Sequence, residues 1–174
     1  NEVQKFEGMV APQNVALSMF PMGPTLKSEF PEIENFTRVR KAGKYDLSYG
    51  DQKLYLKETF FVDSTFLQIF DFPLAEGISN TVLLEPNSAV LTRETAQKLF
   101  GNQDPVGKTI VHYTGDTISF KVTGVIENIP QNSHLQFDAL FSFSTIIRPQ
   151  HTQNWGSNWL VTYLQLIPGA DAKR

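Results

Sequence analysis

The chain has 174 residues, 41% apolar and 19% charged, and 15 Lys and Arg against 18 Asp and Glu leave a net charge of −3. Length and balance predict about one domain of ~150 residues with its own core, and they exclude a disordered tail, a collagen repeat and a long coiled coil. Without cysteine there is no disulfide, zinc ribbon, iron–sulfur cluster or thiol nucleophile, and without a basic excess the composition speaks against a general nucleic-acid binder.

In chain order, 3–10 reads as a strand limited by Pro12, and 22–31 as a short helix that Pro24 permits in its first turn and Pro31 stops. Phe36 to Arg40 alternates with period two, as a strand does. Lys44 to Lys57 reads as a hairpin turning at Tyr49-Gly50-Asp51-Gln52. The basic cluster Arg38, Arg40, Lys41 and Lys44 is expected in a solvated turn between these strands rather than in a phosphate-binding patch. Thr59 to Ser64 reads as a strand entering an N-cap at Asp63 or Ser64, with Phe66, Leu67, Ile69 and Phe70 sharing a helical face.

Ser88 to Leu91 is a short apolar strand. Thr92 caps a helix over 93–100 that Gly101 ends at positive φ. Strands over 109–113 and 117–126 follow, joined at Thr114-Gly115-Asp116, with Gly124 marking a bulge or a close backbone approach. A loop spans 130–134, and a last strand over 160–167 ends at Pro168-Gly169. The pattern is α+β, with short helices beside a mainly antiparallel sheet. No apolar run reaches the ~18 residues of a membrane span, and the N-terminus does not read as a signal peptide. The residues given therefore read as a soluble domain, expected to belong to a longer parent.

Chemical motifs fare poorly. Gly101 to Thr109 resembles a phosphate-binding loop, but five residues separate Gly101 from Gly107 instead of four. The segment also follows a helix and opens a strand, so no helix N-terminus meets a phosphate, and Lys108 is not expected to bind nucleotide. His112, His134 and His151 lack metal-ligand spacing, and adjacent Ser133 and His134 with Asp138 cannot form a triad. Glu32 with Glu34 and Asp63 with Asp71 carry no mark of a buried carboxylate pair, and Asn35-Phe36-Thr37 is a short glycosylation pattern only. No catalytic, cofactor-binding or metal-ligating residue is assigned.

The wording of several segments is more specific. Val62 to Leu74, with Asp63 and Phe70, is followed by Leu84 to Thr92 leading into Phe100-Gly101. Then come Asp104-Pro105-Val106-Gly107-Lys108-Thr109 and Val122-Thr123-Gly124-Val125-Ile126. Ile129-Pro130-Gln131-Asn132-Ser133-His134 closes the series, and Leu26 to Glu34 with Arg38 precedes it. In this order, over about residues 20 to 167, the set resembles the MacB-like periplasmic core domain of ABC transporter permeases, the MacB/FtsX-like family.

The resemblance implies a two-lobed fold: a mixed α/β porter-like lobe of 1–64 and 140–174, truncated at its C-terminal end, and an inserted strand-rich, sabre-like lobe of 65–139. It implies a non-enzymatic domain at the periplasmic face of the bacterial inner membrane, coupling cytoplasmic ATP hydrolysis to periplasmic movement for export, extrusion or signalling. The implied partners are a cognate ABC ATPase domain or subunit, a second permease copy, and a periplasmic adaptor or lipoprotein. The rival expectation is a module that binds a lipid, peptide or drug between the lobes.

Overall fold

The computed structural model describes residues 2–4, 13–114 and 116–171. Short strands β1 (Glu2–Gln4) and β2 (Gln13–Val15) pair antiparallel; residues 5–10 of the strand expected over 3–10 lie outside the described residues. Then follow β3 (Ser18–Met19), α1 (Met22–Glu29), β4 (Ile33–Tyr49), β5 (Gln52–Val62), α2 (Phe66–Ile69) and β6 (Leu74–Glu76). The chain continues through β7 (Ser88–Thr92), α3 (Arg93–Phe100), β8 (Thr109–Thr114), β9 (Asp116–Ile126), β10 (Ala139–Ser142) and β11 (Asn158–Leu166), with one-turn 3-10 helices at Phe143–Ile146 and Pro149–His151. Among the described residues no helix is long and apolar enough to cross a membrane.

Local chemistry accounts for the element ends. Phe30 is extended at φ −116° and ψ 107° because Pro31 follows it, and α1 stops there. The β4–β5 hairpin closes through Gly50 at φ 56°, with glycine at the first central position of a two-residue turn. Thr92 is extended and its hydroxyl accepts the Thr95 amide at 3.3 Å, as a helix N-cap does.

The large sheet has nine strands in the order β3-β11-β4-β5-β10-β7-β9-β6, with β8 bridging β4 and β9. It is mixed: β10 runs parallel to β5 and antiparallel to β7, and β7 is parallel to β9. Period-two alternation divides the apolar residues between its faces. Ala139 and Phe141 pack with Phe61, Phe120 and Leu99 on one face, while Leu140 packs with Val62, Phe66 and Val90 on the other.

The structure corrects several expectations. The division into a lobe of 1–64 with 140–174 and an insertion of 65–139 is not a break in the sheet. β10, from the outer ranges, pairs directly with β7, from the middle one, and β8 pairs with β4. Compact, turn-bounded segments reveal strands but not their partners, and these pairings join the two ranges in one sheet. The two strands expected at 36–40 and 44–49 are one, β4, carried past Gly43 by register shifts. The basic cluster therefore sits within a strand instead of a turn. α2 is preceded by Thr65, whose hydroxyl donates to the Phe36 carbonyl at 2.6 Å, so neither Asp63 nor Ser64 is its cap.

Candidate functional site

The most elaborate polar arrangement is the junction of Arg38 and Asp63. Arg38, on β4, is only 7% exposed and Asp63 follows β5 directly. Nε and Nη2 of Arg38 donate to the two carboxylate oxygens at 2.8 Å each, and the Arg38 backbone amide donates to Oδ2 at 2.8 Å. Nη1 donates to the Phe20 carbonyl at 3.3 Å. The guanidinium lies 4.3 Å from the Phe20 ring centroid and 4.7 Å from that of Phe143. One cation thus ties the segment entering α1, the two longest neighbouring strands and the turn after β10. A planar fork that packs against both rings and donates from each of its three nitrogens is what arginine supplies and lysine does not. Nearby, Arg40 lies 4.9 Å from the Trp159 ring, and Lys41 pairs with Glu58 at 2.6 Å.

The α3–β8 connection holds the glycine-lysine segment. Gly101 takes φ 60° and ψ −120°, and the Gln103 amide donates to the Phe100 carbonyl at 3.1 Å. This is a turn of the type II′ class rather than a simple left-handed cap. The Val106 amide donates to Asp104 Oδ1 at 2.9 Å, the Gly107 amide to the Val122 carbonyl at 2.8 Å, and the Lys108 amide to the Pro105 carbonyl at 3.2 Å. The Lys108 ammonium donates to Gln103 and lies 5.2 Å from the Tyr49 ring and 5.7 Å from that of Phe100. The amides that would cradle a phosphate are bonded internally, and a strand follows. An added Cβ at Gly101 would touch nothing within 4 Å, so its cost is conformational alone. Gly101→Ala is expected to lose about 1–3 kcal/mol in urea unfolding, the range for strained dihedrals.

The 130–134 loop is a structural one. Ser133 Oγ accepts the Leu135 amide at 3.2 Å, and Gln136 Nε2 donates to the carbonyls of Pro130 at 2.8 Å and Ser133 at 3.0 Å. The His134 ring sits 6.4 Å from Phe70 and 6.2 Å from Tyr163, and Asn132 is exposed. Asp138 accepts the amides of Lys57 and Glu58 at 2.8 and 3.0 Å, so Ser133, His134 and Asp138 serve three separate tasks. Gly124 is a close approach: a Cβ there would stand 2.9 Å from both the Glu76 carbonyl oxygen and Val82 Cγ1, and the β7–β9 register shifts beside it.

Among the described residues no group of three His, Cys, Asp or Glu is placed to hold a metal. His112 is buried, its Nδ1 2.9 Å from the Asp46 carbonyl and its ring stacked 3.8 Å from Tyr45. Burial pushes the Tyr45 and Tyr163 phenols above their ordinary 10.0, against a smaller lowering of Tyr45 by Arg40. A raised phenol favours the protonated native state, so this stability is complete below the unfolded value and is lost as pH rises through the folded one. Melting temperature is expected to fall above about pH 10, and less steeply in the Tyr45→Phe/Tyr163→Phe variant.

The family-like sequence pattern includes Arg38 but carries no mark of its burial beside Asp63. Of the three rings around the guanidinium, only Phe36 lies near Arg38 in sequence.

The α+β fold built on one large mixed sheet matches several solved domains. A domain of a protein classed as a permease from Porphyromonas gingivalis aligns at TM-score 0.80 and 23% identity, over 91% of this chain and 73% of that one. The periplasmic region of MacB from Actinobacillus actinomycetemcomitans aligns at TM-score 0.67 and 16% identity, over 91% and 69%. The extracellular domain of the noncanonic ABC-type transporter YknZ from Gram-positive bacteria aligns at 0.61 and 16%, over 88% and 75%. None of the curated proteins compared with the chain matches it. The chain belongs to the family of MacB-like periplasmic core domains, whose sequence profile matches residues 3–174. That family is a periplasmic domain of ABC-type permeases of the MacB/FtsX-like class, not a classical enzyme.

Proposed function

We propose that the domain is a lever: ATP hydrolysis in a cognate cytoplasmic ABC ATPase domain or subunit moves it, and it transmits that movement outside the membrane for export, extrusion or signalling. Its place is then the periplasmic face of the bacterial inner membrane. It works beside a second permease copy and against a periplasmic adaptor or lipoprotein. The observation that supports this reading is the continuity of the sheet from the Arg38–Asp63 junction to the β4–β5 tip. β4 alone, at 17 residues, spans about 55 Å of hydrogen-bonded backbone, long and stiff enough to carry a displacement.

The 174 residues hold no cysteine, so no native thiol of this domain competes with introduced pairs. Cysteines that oxidise to tie this domain to its mate in the intact permease should abolish transport or resistance, and reductant should restore it. Full activity in the cross-linked permease would overturn the lever.

A second reading has one observation in its favour. Leu26, Phe30, Ile33, Leu164, Leu166 and Ile167 line an open groove of about 900 Å³ beside α1, a surface suited to a lipid or apolar peptide. Loss of activity in Leu164→Glu without loss of folding, together with lipid bound to the native protein only, would favour it.

A further inference from the structure

We propose that His151 is an acid-sensitive latch: its neutral ring holds the 148–157 segment against the aromatic cluster beside the Arg38–Asp63 junction, and protonation at Nδ1 releases it. The latch is a turn closed twice. The His151 amide donates to the Arg148 carbonyl at 2.9 Å, and the Arg148 amide donates to His151 Nδ1 at 3.2 Å. A ring nitrogen that accepts carries no hydrogen, so the neutral imidazole keeps its proton on Nε2. The ring centroid lies 5.3 Å from that of Trp159 and 5.8 Å from that of Phe20. Trp159 belongs to β11, and Phe20 supplies both a carbonyl and a ring to Arg38. The Thr152 and Asn154 amides donate back to the Pro149 and His151 carbonyls at 3.3 and 3.1 Å. The segment leading into β11, with Trp155 exposed, is therefore tied to this turn.

A second proton has one place to go. Taken up from water onto Nδ1, it turns the acceptor into a donor and sets two N–H groups against each other, so the Arg148 amide must turn to solvent. The surrounding charge works in the same direction. Arg148, in the turn itself, donates from its guanidinium to the Thr145 and Ile147 carbonyls at 3.2 and 2.9 Å. From β4, Arg40 lies 4.9 Å from the Trp159 ring and Arg38 lies 4.3 Å from the Phe20 ring, the latter with Asp63 as its partner. An aromatic face attracts a cation, but each of these two rings already carries a guanidinium, and an imidazolium added beside them meets like charge. His112 behaves differently, because its Nδ1 donates to the Asp46 carbonyl and protonation leaves that bond intact. His134 makes its ring contacts with Phe70 and Tyr163, away from this turn. Histidine ordinarily changes charge between about pH 5 and 8, so the latch is closed at the upper end of that range and open at the lower. Opened, it uncovers Phe20 and Trp159 beside the junction. The inference concerns this domain alone and does not depend on the lever.

The test is NMR on the 174-residue chain at about pH 8 and about pH 5, reading the protection factor of the Arg148 amide and the contact between the His151 and Trp159 rings. Melting curves confirm that each variant is folded. His151→Asn sets an oxygen where Nδ1 stands, so it accepts the Arg148 amide without titrating, whereas His151→Ala has no acceptor. At the higher pH the native chain and His151→Asn should protect the Arg148 amide about fivefold better than His151→Ala does, the size of one net hydrogen bond. At the lower pH the native chain should fall to the level of His151→Ala and lose the ring contact with Trp159. His151→Asn should keep its protection, which separates the effect from titration of His112 and His134. The proposal is overturned by native protection that survives at the lower pH, by an equal fall in His151→Asn, by ring contacts that outlast the lost bond, or by native-like protection in His151→Ala.

Discussion

Arg38→Ala is expected to cost about 3–5 kcal/mol, because it leaves the half-buried Asp63 carboxylate with no cation to meet it and strips the packed guanidinium from the Phe20 and Phe143 rings. Against a total stability of about 5–15 kcal/mol, that brings the fold near its limit. Arg38→Lys should recover only part of the loss. An ammonium on a flexible stem cannot bond both carboxylate oxygens and the Phe20 carbonyl while packing against the Phe20 and Phe143 rings. The apolar pair Arg38→Met/Asp63→Leu should be more stable than Arg38→Ala, since no buried charge remains. It should still fall short of the native chain, because the Arg38 amide loses its acceptor, Asp63 Oδ2. Urea unfolding of the four proteins orders them. If Arg38→Ala changed stability by less than about 1 kcal/mol, the junction would be an ordinary surface ion pair.

Why this junction was illegible in the sequence is a matter of geometry. Within an alternating strand, a solvent-facing arginine and one buried against rings have the same period, and Asp63 has the composition of an N-cap. Only the fold brings Phe20, 18 residues away, and Asp63, 25 residues away, to one point. By contrast, α3 could be read almost completely. Its cap, its buried Ala96 and Leu99 and its terminating glycine are all local in sequence. The II′ geometry at Gly101 differed from the expected left-handed cap in ψ alone. The sheet order was the least legible feature, since β5 meets β10 across about 80 residues and no local pattern encodes that pairing.

Phe141→Ala is the second large effect, and it also tests whether the molecule unfolds as one body. Phe141 is fully buried on β10, the strand that joins β5 to β7. Its ring lies 4.3 Å from Phe120, 5.1 Å from Tyr45 and 5.4 Å from Phe61. Truncation removes an aromatic side chain from the centre of a close-packed cluster and leaves a void that fixed strands cannot close, at about 3–5 kcal/mol. For a chain of this size the melting temperature should fall by about 10 °C. Because Phe120 comes from the middle range and Phe61 from the first, one continuous core predicts that the whole transition moves together, seen equally by tyrosine and tryptophan fluorescence. A Phe141→Ala/Phe120→Ala cycle should show coupling of about 0.5–3 kcal/mol, as touching residues do. Two transitions, only one of them shifted by Phe141→Ala, would instead mean that residues 65–139 fold as a separate lobe despite the shared sheet.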